Sequence, residues 1–202
     1  MISKGIETAF HKVYYLIKLS LYFWGLSFIG LLLFGITPAM MASIEAHNDA
    51  NWDYDQLKWS TLFSHFKEYF KKGNQVFFIY FSVLLILGYN LYLSLQPKGL
   101  FFLVLDFILI FVLFLLTLSF LINIAIVLTF DISVVNSMKL ALIQFFTHTK
   151  ECFLLIFGIV MVSIITIKFP GLILFISTGF LAIVISTSTK RLFKTILVDE
   201  GL

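Results

Sequence analysis

The chain has 202 residues, 60% of them hydrophobic and 12% charged, with a formal net charge of +3 and a mean hydropathy of +1.03. Soluble domains carry about 25% charged residues, so this composition excludes an ordinary water-soluble globule and indicates a membrane-embedded domain. The small charge, with Arg191 as the single arginine, argues against nucleic acid and bidentate phosphate clamps, and the lone Cys152 excludes an intramolecular disulfide or a cysteine-rich zinc site.

Five stretches hold no charge at all: residues 19–42, 73–97, 107–130, 152–167 and 169–189. A bilayer's hydrocarbon core is about 30 Å thick and takes about 20 apolar residues of helix to cross. The pattern predicts an all-α, polytopic membrane helix bundle in one domain, residues 1–202, with about five transmembrane helices and two amphipathic interfacial helices.

In chain order, the first helix is expected over about 10–34. Lysines followed by an apolar run imitate a secretory signal, but the run is too long and lacks an A-x-A-like site, so it reads as a retained helix. Gly35, Thr37 and Pro38 then form a candidate hinge, in which glycine ends the helix, Thr37 caps freed amides and proline starts a short helix over 38–47. An acidic connector follows at Glu45, His47, Asp49, Asp53 and Asp55. A divalent-metal site and a solvated connector are the two readings of this segment. The spacing matches no EF-hand loop and the solvated reading is preferred.

From Leu57 the aromatic and apolar residues recur at three and four, with lysines between them. Lys58, Trp59, Phe63, Phe66, Lys67, Phe70, Lys71 and Lys72 make an interfacial helix over about 57–72 and a candidate lipid interface. The competing reading packs that helix against the bundle. Further spans are expected at 74–95, 100–130, 151–168 and 170–190, with a second amphipathic helix at 133–148. Five spans put the chain ends on opposite faces. Lys4, Lys12, Lys18, Lys98 and Lys168 then share one face, the other nine basic residues share the opposite one, and the positive-inside rule favours a start outside and an end inside.

Isolated polar groups in such spans invite a functional question. Asp106 is the only acid in the interior of an expected span, and Asn90, Ser119 and Asn123 join it as a candidate polar pathway. Ordinary interhelical hydrogen bonding, about 0.6 kcal/mol each, is the plainer account. Thr178, Ala182 and Ser186 form a small-residue ridge suited to a close helix contact, within the chain or in a homo-oligomer. No H-E-x-x-H, G-x-S-x-G, P-loop or dinucleotide glycine motif occurs. The chain is therefore not expected to be an enzyme, and no cofactor or metal is expected.

The segment Phe34-Gly35-Ile36-Thr37-Pro38-Ala39, followed by Phe63-Ser64-His65-Phe66-Lys67-Glu68-Tyr69-Phe70 with Trp59 four residues upstream, resembles the YesL family (the DUF624 group). That family shows a "fGitPA" segment and then a motif close to F-x-x-F-K-x-x-F. Length, number of spans and motif order extend the resemblance over nearly the whole chain. The chain departs from the family in its acidic connector and in Asp131-Ile132-Ser133-Val134, which lacks a proline often found there. The resemblance implies a multi-pass protein of the bacterial cytoplasmic (inner) membrane, without an established activity, often associated with carbohydrate uptake. The expected function is an accessory or regulatory component of such uptake. Its expected partners are the lipid bilayer and another membrane protein or a second copy. The alternative is a small transporter or channel.

Overall fold

The computed structural model describes the backbone of residues 2–130 and 132–199, with side chains over residues 6–130 and 132–191. Every regular element among the described residues is helical: α1 (Ile2–Ile29), α2 (Ile36–Ala50), α3 (Trp59–Ser94), α4 (Leu100–Thr129), α5 (Val134–Thr147), α6 (Thr149–Lys168) and α7 (Thr178–Asp199). A π-helical stretch, Ile173–Ser177, leads into α7. The fold is the all-α bundle that the apolar runs predict.

Contacts gather in two compact units, one formed by residues up to Gly73 and from His148 onward, the other by Asn74–Thr147. In the first, α1 packs on α2, on α7 and on the π-helical stretch, α2 packs on α7, and α6 on α7. Its core holds Tyr15, Leu19, Leu26, Met41, Ile44, Leu62 and Leu155, all under 3% exposed. The Trp24 indole donates to the Ile173 carbonyl (3.0 Å), and the Ser20 hydroxyl accepts the Gly179 amide (2.9 Å). In the second unit α4 and α5 pack closely, while large side chains connect α3 to α4. The Tyr80 ring meets Phe120 edge-on and its hydroxyl hydrogen-bonds Ser119 Oγ at 2.8 Å.

Among the described residues, four helical segments are long and apolar enough to cross a membrane: Trp59–Ser94, Leu100–Thr129, Thr149–Lys168 and Ile173–Arg191. α1 is not among them. It ends at Ile29, before the most apolar residues of its run, and Lys12 and Lys18 lower the hydropathy of the remainder.

Several boundaries differ from the sequence reading. The first helix begins at Ile2 instead of about residue 10, and the last, expected over 170–190, begins at Thr178 after the π-helical stretch and runs to Asp199. The first helix stops at Ile29 instead of about Phe34, because the chain reverses in a tight turn where Leu31 and Leu32 take left-handed φ values of 58° and 56°. The second helix starts at Ile36 and runs to Ala50, beyond the expected 38–47, and ends on a left-handed Asn51 whose amide bonds the His47 carbonyl. The expected interfacial helix 57–72 and span 74–95 form one continuous helix, α3. Gly73-Asn74 reads as a break, yet the glycine lies inside α3 against Pro38 and Met41, where a Cβ would come within 3.0 Å of the Met41 sulfur.

Candidate functional site

The hinge residues lie at the turn between α1 and α2, with a different division of labour from the one expected. Gly35 takes the cap position of α2 without a side-chain cap, and Thr37 and Pro38 occupy the helix's first turn. Proline is tolerated there because first-turn amides have no partner within the helix. Thr37 Oγ1 is buried and makes no hydrogen bond, so the capping role assigned to Thr37 is corrected. The turn closes on glycine instead. A Cβ at Gly30 would fall 2.4 Å from the Gly35 Cα, and one at Gly35 would fall 2.4 Å from the Ser27 carbonyl oxygen.

At the opposite end of the α1–α2 pair lies the most elaborate polar cluster of the first unit. Tyr15 Oη and His47 Nδ1 are hydrogen-bonded at 3.0 Å, and both rings pack against Trp52. Lys12 lies over the Trp52 ring, Lys18 Nζ donates to the Tyr54 carbonyl at 2.7 Å, and His11 stacks on the Tyr54 ring. His47 is 6% exposed. Burial, with Lys190 nearby, pushes its pKa down from 6.5 to about 4, so the imidazole is neutral at pH 7. The sequence reading missed this cluster by placing His47 in a solvated connector. The available signal was Tyr15 at helical spacing between Lys12 and Lys18.

The rest of that connector is also folded. Asp49 lies in the last turn of α2 and meets His65 Nε2 at 3.0 Å, and Asp53 accepts the Asp55 amide and the Gln56 side chain. Among the described residues no group of histidine, cysteine, aspartate and glutamate is placed to hold a metal ion.

The lysine-aromatic stripe of α3 divides by face. Leu62 and Phe66 are buried, Phe66 beside Gly30. Trp59 stacks on Phe63, meets Tyr22 edge-on and lies against Gly25. Lys58, Lys67 and Lys71 are exposed, Lys72 and Phe63 are half-buried, and Phe70 is exposed. Lys67 Nζ sits 4.3 Å above the Phe63 ring. One edge of this helix thus docks on the α1–α2 pair, and the lysines keep the outer edge.

The four residues of the candidate polar pathway do not converge. The Ser94 hydroxyl donates to Asp106 Oδ1 near the ends of α3 and α4. Asn90 is exposed and donates to the Ile86 carbonyl of its own helix at 2.8 Å. Ser119 pairs with Tyr80, and Asn123 lies beside that pair, fully buried, its amide making no hydrogen bond of ordinary geometry. Thirteen residues separate Asp106 from Ser119, roughly 20 Å along α4. A cavity of about 60 Å³ beside Tyr80 is lined by Phe77, Phe81, Leu84 and Phe120 and presents no polar surface. The small-residue ridge of α7 packs within the chain: Ala182 and Ser186 are buried, and the Ser186 hydroxyl donates to Asn48 Oδ1 at 2.7 Å.

A profile of the family described as "Protein of unknown function, DUF624" matches residues 16–91. The matched segment takes in most of α1, the glycine turn, α2 and nearly all of α3. It is shorter than the near-complete resemblance read from the motifs. No curated protein and no solved structure matches the chain. Over residues 16–91 the chain is thus similar to the DUF624 family.

Proposed function

We propose that this protein is an accessory or regulatory membrane component that acts through helix contacts with another membrane protein, in the bacterial cytoplasmic membrane, in association with carbohydrate uptake. The last two elements rest on the family resemblance alone. The observation that carries the helix-contact reading is how the polar groups of the apolar helices are used. Asp106, Asn90, Thr117 and Ser119 are each engaged within the chain, while the outward residues of α4, among them Phe101, Phe107, Ile108, Phe111 and Phe114, are large, apolar and exposed. Such a helix offers shape to lipid or to a neighbouring helix, and little chemistry to a solute.

The test is photo-crosslinking in native membranes from a probe at Phe107, followed by mass spectrometry. A reproducible crosslink to another integral membrane protein supports the reading. Crosslinks to lipid alone, at high probe occupancy, contradict it.

A second reading, a small transporter or channel, has one observation in its favour: the fully buried amide of Asn123, which makes no hydrogen bond of ordinary geometry. Solute flux in proteoliposomes that disappears in Asn123→Leu would replace the first reading with this one.

A further inference from the structure

We infer that α1 and α2 form a re-entrant hairpin, which enters the membrane and leaves it by the same face, with an apolar turn that is an interaction surface for lipid acyl chains. The open end of the pair fixes its two limbs on one side. Residues 11–18 of α1 and residues 47–54 after α2 are in direct contact through Tyr15–His47, Lys12–Trp52, His11–Tyr54 and the bond from Lys18 to the Tyr54 carbonyl. Two segments in such contact cannot lie on opposite faces of a bilayer whose hydrocarbon core is roughly 30 Å thick. A single crossing by the first helix is therefore incompatible with the packing. The chain goes in and returns.

The returning limb sets the form of that excursion. α2 has 15 residues, about 22 Å at 1.5 Å per residue, less than a full span. At the turn, Phe28, Ile29, Leu31, Leu32, Leu33, Phe34 and Ile36 are 41–79% exposed. The stretch from Phe28 to Ile36 contains no polar or charged side chain and no tryptophan or tyrosine of the kind that marks a headgroup boundary.

An irregular turn within lipid must satisfy its own backbone. Here the amides of Gly30, Leu31, Leu32, Leu33, Gly35 and Ile36 all bond carbonyls of the same turn or of the end of α1. The left-handed leucines, each costing roughly 1–2 kcal/mol, are the conformations that permit this closure.

Charge distribution supports the same path. If the hairpin returns and each of the four long apolar segments crosses once, every basic residue except Lys98 and Lys168 falls on a single face. The five-span path divides the fourteen basic residues far more evenly. The positive-inside rule makes the lysine-rich face cytoplasmic.

The experiment uses the full chain in a Cys152→Ser background, with single cysteines introduced by Thr8→Cys, Asp55→Cys, Lys98→Cys and Leu33→Cys. Each variant is treated with a membrane-impermeant maleimide in inverted and in right-side-out vesicles, and labelling in detergent gives the reference for full reactivity. The expected result is labelling of Thr8→Cys and Asp55→Cys in inverted vesicles only and of Lys98→Cys in right-side-out vesicles only. Leu33→Cys is expected to stay at least tenfold less reactive in both orientations than in detergent. Labelling of Thr8→Cys and Asp55→Cys from opposite faces overturns the inference, and so does rapid labelling of Leu33→Cys in either orientation. These outcomes concern sidedness alone and are independent of any partner found by crosslinking.

Discussion

The hydroxyl of Tyr15 and Nδ1 of His47, thirty-two residues apart in sequence, are hydrogen-bonded at 3.0 Å between α1 and α2. The bond joins the two helices at their polar end, and burial keeps the imidazole neutral at pH 7. Its pH dependence follows directly. The folded protein holds the His47 pKa at about 4 against an ordinary 6.5. Between those values the unfolded chain binds more protons, so stability is complete above about pH 6.5 and declines as pH falls towards 4. At roughly 1.4 kcal/mol per pKa unit, the loss is about 3 kcal/mol at most. Thermal unfolding in detergent at pH 7.5, 5.5 and 4.5 is expected to show that decline, and His47→Gln is expected to flatten it. Tyr15→Phe is expected to cost about 1 kcal/mol at pH 7.5.

The glycine turn gives a contrast between two similar substitutions. A Cβ at Gly35 would collide with the backbone at Ser27, whereas one at Gly88 meets nothing within 4 Å. Gly35→Ala is expected to destabilise by at least the 1–3 kcal/mol typical of overpacking, because the obstacle is main chain and cannot rotate away. Gly88→Ala, inside α3, is expected to be neutral or to stabilise by about 0.5–1 kcal/mol through helix propensity. Melting temperatures of the two variants in the same detergent decide the point.

Asp106 and Ser94 tie the far ends of α3 and α4 together. The Ser94 hydroxyl has an alternative acceptor in the Leu91 carbonyl, 3.0 Å away. Asp106→Ala is therefore expected to cost only about 0.6–1 kcal/mol, in the range of interhelical hydrogen bonds in membranes. A loss of several kcal/mol in an unfolding titration would mean that Asp106 has another role.

Asn123 points the other way. A buried amide without a hydrogen bond of ordinary geometry costs roughly 1–3 kcal/mol, so Asn123→Leu, close to it in volume, is expected to leave stability unchanged or to raise it by about 1 kcal/mol. A marked fall in melting temperature would show that the amide is bonded in the membrane.

Much of the fold was legible because it rests on local regularities. Apolar runs of spanning length set α4 and α6, the three-and-four spacing of Trp59, Leu62, Phe63 and Phe66 set the start of α3, and Pro38 marked the beginning of a short helix. What escaped depends on neighbours distant in sequence. The change from a lysine-rich to an uncharged pattern at Gly73 set two helices, 57–72 and 74–95, but Gly73 is a contact point for Pro38 and Met41 within one continuous helix. His47 looked like part of an acidic connector because Tyr15 and Trp52 enclose it only once α1 and α2 are side by side. The polar residues of α3 and α4 were legible as types, whereas their pairing into Ser94–Asp106 and Tyr80–Ser119 required the register between the two helices.

The exposed apolar faces of α4 and α6 are surfaces for lipid. Extraction of membranes with alkaline carbonate tests this most directly. The chain should remain with the sedimented bilayer and be released only by detergent. Recovery as a monomer in the aqueous supernatant, without detergent, would contradict it.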